Sequence, residues 1–149
     1  MKVGFTGTRK GMSQAQLGQV GKLLMIFERA AYATDVPDPL SVPPEFHHGG
    51  ATGADTEADQ LACLDGYQVH VHPCPGVVAD APGKFNSHPV IWNEVFPPLM
   101  RNQHIVDVCD VLIAAPETDK EVQRSGTWAT IRYARKAGKP VVMLSRGKE

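Results

Sequence analysis

The chain has 149 residues and a formal net charge of −1, with 15 Lys and Arg against 16 Asp and Glu. That length suits one domain, 1–149, with a core of its own, and the balanced charge gives no support to sequence-independent nucleic-acid binding, which calls for a basic surface. Its three cysteines, Cys63, Cys74 and Cys109, form no CxxC pair and read as reduced thiols, while no apolar run approaches the ~20 residues of a membrane span and MKVGFTGTRKG has too short an apolar stretch for a signal peptide; a cytoplasmic protein is the expectation.

Residues 2–6 read as a short buried strand that stops at Gly7-Thr8-Arg9-Lys10-Gly11. Ser13 is a good helix N-cap, and Leu17, Val20, Leu24 and Phe27 recur at helical spacing, which predicts a helix over 14–34. Residues 35–44 carry four prolines and read as a loop. A short strand over 45–48 leads into a glycine-rich turn over 49–54. The next helix, 55–65, turns Ala58, Leu61 and Ala62 inward, with Leu64 as a further candidate, and Gly66 stands where a C-terminal cap glycine should. Residues 67–72 alternate as a strand that ends at Pro73. Residues 73–98 make a long connection rich in proline and glycine, and its Phe85, Trp92 and Phe96 argue for a folded flap. A helix over 99–107, a strand over 111–115 and a polar loop over 116–124 follow. Ser125 caps a helix over 126–136, Gly138 closes it, and 140–144 is the last strand. Strands alternating with helices mean βαβ units. The right-handed crossover rule then leaves a doubly wound, mostly parallel, Rossmann-like α/β sheet with helices on both faces.

In an open parallel sheet, ligands bind beyond the carboxyl ends of the strands. This chain places three turns of small and hydroxylic residues there: Gly7-Thr8-Arg9; Gly49, Gly50, Ala51, Thr52, Gly53 and on to Asp55; and Ser125-Gly126-Thr127. Helix N-termini offer unpaired N–H donors and a partial positive charge, and so bind phosphate well. Each turn alone reads equally well as a tight turn, since neither GxGxxG nor a Walker pattern is present; it is their convergence that points to a nucleotide-like ligand. Arg9 can fork onto a phosphate or simply be solvated. Arg101 and Asn102 open the helix after the flap. A cation at a helix N-terminus is unfavourable, which suggests that Arg101 meets an anion, with a salt bridge to Asp107 or Glu94 as the alternative. Asp55 either closes its own helix N-terminus, the favoured reading, or accepts from a ribose hydroxyl. The ligand's phosphate is expected between the 49–55 turn and the 125–127 helix start, with the flap closing over the sugar. Trp128 stacks on a base or, more simply, packs in the core. His70 and His72 share a strand face, but His47 and His48 point to opposite faces of theirs. A metal wants three or four converging ligands, so neither a metal nor another cofactor is expected.

GFTGTRKG, GGATGAD, the Arg101-Asn102 pair, VDVCDVLIAAP and SGTWATIRYARKAGKPVVML together resemble the SLOG superfamily. That group holds the DprA/Smf proteins, the LOG phosphoribohydrolases and small stand-alone YspA-like proteins. The resemblance covers nearly the whole chain apart from 35–44 and most of the flap. It implies a nucleotide or nucleotide-derived small molecule as ligand, and it admits homo-oligomers. It also implies roles for Gly49, Gly50 and Gly53, for Arg101 and Asn102, and for Gly126 and Thr127, which match the GT of the LOG pattern PGGxGTxxE. The PGG is absent here, and the catalytic glutamate of that pattern falls on Thr130. Glu117, Asp119 and Glu121 in the preceding loop are the remaining carboxylates for N-glycosidic cleavage, in which positive charge develops on the sugar. A ligand-binding sensor, carrier or sequestering protein therefore ranks first, a nucleotide hydrolase second. A DprA-like single-stranded DNA binder ranks third: Lys10, Lys22, Arg132, Arg135, Lys136 and Lys139 provide charge, but Arg132, Arg135 and Lys136 more simply solvate the last helix and suit its C-terminal end.

Overall fold

The computed structural model describes residues 1–32, 42–76 and 89–147. Along the chain come β1 (Lys2–Gly7), α1 (Gln14–Tyr32), β2 (Glu45–His48), α2 (Ala54–Leu64), β3 (Gln68–Val71), β4 (Val90–Trp92), α3 (Pro98–Val108), β5 (Val111–Ala115), α4 (Gly126–Lys136) and β6 (Val141–Met143). The strands form one six-stranded sheet in the order β4-β3-β2-β1-β5-β6, and every pairing is parallel. α1 packs on α2, and α3 on α4. β1 lies at the centre and shows how the two faces are filled. Val3 and Phe5 are buried in the cluster that also holds Val20 and Leu24 of α1 and Ala58 and Ala62 of α2. Gly4 points the other way, where a Cβ would stand 3.0 Å from Cys109 at the end of α3. The expected doubly wound fold is thus present, with helices on both faces.

α1 starts with a reciprocal cap. Ser13 Oγ accepts from the Gln16 N–H at 3.2 Å, and Gln16 Oε1 accepts from the Ser13 N–H at 3.1 Å, so two otherwise orphaned donors are satisfied together. Gln16 is fully buried. Its Nε2 donates to the Pro116 and Leu144 carbonyls at 2.9 and 3.3 Å, tying the helix start to the ends of β5 and β6. Apolar spacing alone does not reveal such a residue. Ser13→Ala is expected to lower the unfolding free energy by about 1 kcal/mol, read from a urea melt; an unchanged midpoint would remove the cap from the account.

Two expectations are corrected. Leu64 does not face inward but is 82% exposed. The buried stripe of α2 runs Ala54, Ala58, Ala62 at intervals of one helical turn, and Leu64 lies off it. The 73–98 connection is not all flap, because Val90–Trp92 is a strand paired to β3 with Val69 opposite Val90. A three-residue edge strand between prolines carries too little alternation to stand out. Trp92 therefore belongs to the sheet edge, and Phe96 packs edge-on against His104 at 4.4 Å. Phe85, like 35–41 and the end of the predicted first helix, lies outside the described residues.

Candidate functional site

The strand order reverses direction between β1 and β5, the switch point at which parallel sheets open a crevice. The Thr8 N–H donates to the Ala115 carbonyl at 3.0 Å and holds the two strand ends side by side. A cleft of about 470 Å³ opens in front of them, within the usual range for small-molecule sites. The first turn supplies Gly7, Thr8 and Arg9, and Lys10 beside them. The second supplies Gly49, Ala51 and Asp55, and α3 supplies Arg101 and Asn102. The last turn supplies Ser125, Gly126 and Thr127, preceded by Glu117 and Arg124. Gly50, Thr52 and Gly53 do not line it.

The second turn is occupied by the protein itself. Asp55 Oδ2 accepts from the Gly49 and Ala51 N–H groups at 3.1 and 3.2 Å. His48 Nδ1 accepts from the Gly50 N–H at 2.9 Å. Because an amide only donates, His48 carries its proton on Nε2 and presents it to Asp59 Oδ2 at 2.6 Å. Ala54 N–H goes to the Thr8 carbonyl at 3.0 Å. The phosphate donors expected from this turn are thus largely used up. Asp55 does not bond its own helix N-terminus either; it folds back and closes the turn. Burial pushes its carboxyl up from the ordinary range, against the pull of His48, the two amides and Arg101. The paired Asp55 and Asp59, one helical turn apart on α2, are the polar counterpart of its alanine stripe.

The glycines have internal reasons as well. A Cβ on Gly49 would stand 2.5 Å from Nη1 of Arg101. Gly50 has φ +71°. Gly53 has φ +81°, and its Cβ would lie 2.3 Å from the Arg9 carbonyl oxygen. Gly126 differs, since nothing stands within 4 Å of a Cβ there.

Arg101 is 6% exposed. Its Nη1 donates to the Gly49 and His72 carbonyls at 2.6 and 3.0 Å, and its Nε to Asn102 Oδ1 at 2.7 Å. Neither Asp107 nor Glu94 holds it, as the salt-bridge alternative had it. The negative ends of β2 and β3 compensate a cation that the start of α3 disfavours. Nη2 has no hydrogen bond among the described residues.

The last turn has the free donors. Ser125 Oγ takes the Trp128 N–H at 3.3 Å, and the Ser125 carbonyl takes the Ala129 N–H at 2.9 Å. The N–H groups of Gly126 and Thr127 have no acceptor among the described residues and open toward the cleft. Arg9 and Arg124 line the same cleft, and their side chains make no hydrogen bond or ion pair among the described residues. Lys10 pairs with Glu117 at 2.6 Å. Arg124 escaped the turn motifs, because a motif does not show which loops meet. So did the apolar wall, where Leu99 and Val122 line the cleft while 65% and 44% exposed.

Of the candidate carboxylates, only Glu117 reaches the cleft. Asp119 accepts from the Arg146 N–H at 3.1 Å, and Glu121 pairs with Arg132 at 3.2 Å. Thr130 is buried, and its hydroxyl donates to the Gly126 carbonyl at 2.9 Å within its own helix. Trp128 packs with Ala114 and Ile131 and is 5% exposed, so it offers no stacking face.

No protein-family model and no curated protein sequence matches the chain. Solved structures do. A molybdenum cofactor binding protein from Rippkaea orientalis is 18% identical with a TM-score of 0.65, over 95% of this chain and 74% of that one. DNA processing protein A (DprA) from Streptococcus pneumoniae is 22% identical with a TM-score of 0.65, over 95% of this chain and 49% of that one, so this chain spans about half of it. A structural-genomics target named TM1055 is 18% identical with a TM-score of 0.55, over 94% of this chain and 71% of that one. The all-parallel sheet, the crevice at its switch point and these likenesses agree on the fold: the chain has the Rossmann-like α/β fold that these three proteins share.

Proposed function

We propose that the cleft binds a nucleotide or nucleotide-derived phosphorylated ligand, and that the protein holds it intact as a sensor, carrier or sequestering protein. One observation carries this reading: Arg9 and Arg124, both without an internal partner among the described residues, face the same crevice as the unpaired N–H groups at the start of α4. Cations and a helix N-terminus together make an anion site. The phosphate belongs there, at Gly126 and Thr127, and not at the glycine turn, whose donors Asp55 and His48 occupy. Leu99 and Val122 offer the base an apolar wall. Asp55 Oδ1, the oxygen not spent on the turn, is the acceptor for a ribose hydroxyl. The neighbours fit a ligand-binding role in kind, one being described as a molybdenum cofactor binding protein and another as a DNA processing protein.

Cleavage has one support, the carboxylate of Glu117 in the cleft; against it stands Thr130, whose hydroxyl serves its own helix. Single-stranded DNA is disfavoured because the formal net charge is −1 and two of the cations outside the cleft serve the fold: Arg132 holds Glu121 and the Gln123 carbonyl, and Lys139 holds the Asp107 and Cys109 carbonyls.

The test is a thermal-shift screen against nucleoside mono-, di- and triphosphates, NAD, ADP-ribose and cyclic nucleotides, with each hit weighed by mass after incubation. A hit should raise the melting temperature and keep its mass. The Arg9→Ala/Arg124→Ala protein should melt as the wild type does yet bind roughly tenfold or more weakly, the loss expected for charge-assisted hydrogen bonds. Equal affinity would move the ligand out of this cleft, and release of a free base would make the protein a hydrolase.

A further inference from the structure

The other sheet face carries a histidine array that the cleft does not use. In β2 the side chains alternate: Phe46 and His48 turn toward α1 and α2, and Glu45 and His47 turn away. In β3, His70 sits in register opposite His47, and His72 follows two residues on. The His47 and His70 rings stack at 4.3 Å and 19°. His70 Nε2 lies 2.9 Å from Glu45 Oε1, and His47 Nε2 lies 3.9 Å from the same oxygen. His47 Nδ1 meets His72 Nε2 at 2.8 Å.

One atom in this array is unsatisfied. His47 is 4% exposed, and its Nε2 has no hydrogen-bond partner among the described residues. Leaving such an atom buried is costly. Two ring nitrogens 2.8 Å apart make a hydrogen bond that one of them must donate. One proton then lies between His47 and His72. If it sits on His47 Nδ1, then Nε2 presents a bare lone pair beside Glu45. A histidine that donates one ring N–H to an acceptor and aims the other nitrogen outward is arranged as a metal ligand.

We propose that Glu45, His47 and His70 bind a divalent transition-metal ion of the zinc type, with His72 as the positioning residue that fixes the His47 tautomer. Two imidazoles and a carboxylate are a borderline-soft donor set that suits zinc over magnesium or calcium. Their three ligand atoms lie within 4.8 Å of one another. A tetrahedral zinc with bonds of ~2.1 Å sets neighbouring ligands ~3.4 Å apart, and the separations of 2.9 and 3.9 Å bracket that value. The His70 and Glu45 side chains are 12% and 22% exposed, so both touch solvent, the source of a water as fourth ligand. On binding, the Nε2 proton that His70 shares with Glu45 moves to Nδ1 or to solvent. Lys2, 3.6 Å from Glu45 Oε2 and 51% exposed on its side chain, swings aside. None of the three ligands lines the nucleotide cleft, so this site stands or falls independently of it.

The experiment titrates the full chain, stripped with chelator, with Zn²⁺ in a calorimeter and with Co²⁺ in a spectrophotometer. One equivalent should bind, and cobalt should show the strong visible bands of a low-symmetry nitrogen–oxygen site. Glu45→Gln and His70→Gln, both at partly exposed positions, should each weaken binding about tenfold or more while the metal-free proteins melt as before. His72→Phe should weaken it about 10–100-fold and shift the cobalt bands, which a merely structural residue would not do. Absence of binding overturns the proposal. So does a Glu45→Gln/His70→Gln protein that binds as the wild type does, since the ion would then sit elsewhere, on a thiol such as Cys63.

Discussion

Gly53→Ala is expected to lower the unfolding free energy by roughly 3–5 kcal/mol, because left-handed backbone strain and a steric clash act together. The residue has φ +81° and ψ −121°, a region that side chains disfavour. A methyl group there would stand 2.3 Å from the Arg9 oxygen, 2.5 Å from its carbon and 2.8 Å from the Gly11 nitrogen. None of these atoms can swing away as a side-chain tip would. The turn that carries them is fastened by the Ala54 N–H to the Thr8 carbonyl at 3.0 Å and by the Met12 N–H to Glu57 at 2.7 Å. Urea denaturation of the purified variant gives the number. Gly126→Ala is the control, since nothing lies within 4 Å of its Cβ and the N–H donor is kept; it should change stability little. A loss under about 1 kcal/mol at Gly53 would mean that the turn yields where packing says it is fixed.

GGATGAD announces that something approaches the backbone closely, and something does. At Gly53 it is the backbone of the β1 turn, and at Gly49 it is the guanidinium of Arg101. Both neighbours come from segments distant in the chain, so no local pattern could separate them from a bound phosphate. The fold was far more legible, because helical spacing and strand alternation are local properties. β2 and β5 fall where the sequence puts them, and α4 begins at Gly126 behind its Ser125 cap. The opposite facing of His47 and His48 also followed from strand alternation. What the sequence left hidden was pairing across elements: Asp59 under His48, Gln16 between two strand ends, Glu117 with Lys10. The strand Val90–Trp92 was hidden for a related reason. Its identity lies in the edge it completes and not in its three residues.

Arg101→Met should show in both stability and binding. The variant keeps the apolar stem and removes the charged head, which strands the Gly49 and His72 carbonyls that Nη1 now satisfies. Buried acceptors left in this way cost roughly 2–4 kcal/mol together, seen as a lower urea midpoint. Affinity for a nucleotide found in the screen should fall about tenfold or more if Nη2, which has no internal partner among the described residues, reaches the phosphate. The two effects can be told apart. Arg9→Ala/Arg124→Ala is expected to lose affinity with stability intact, because those side chains serve no internal contact among the described residues. Arg101→Met at full ligand affinity but reduced stability would make Arg101 a strut between the ends of β2 and β3. Gly49→Ala provides the independent check, since its Cβ would stand 2.5 Å from Nη1 and displace the guanidinium without deleting it. If the strut is what shapes the cleft, Gly49→Ala should reproduce the stability loss of Arg101→Met. If the charge is what binds, Gly49→Ala should retain more affinity than Arg101→Met, because the displaced cation still lies beside the cleft.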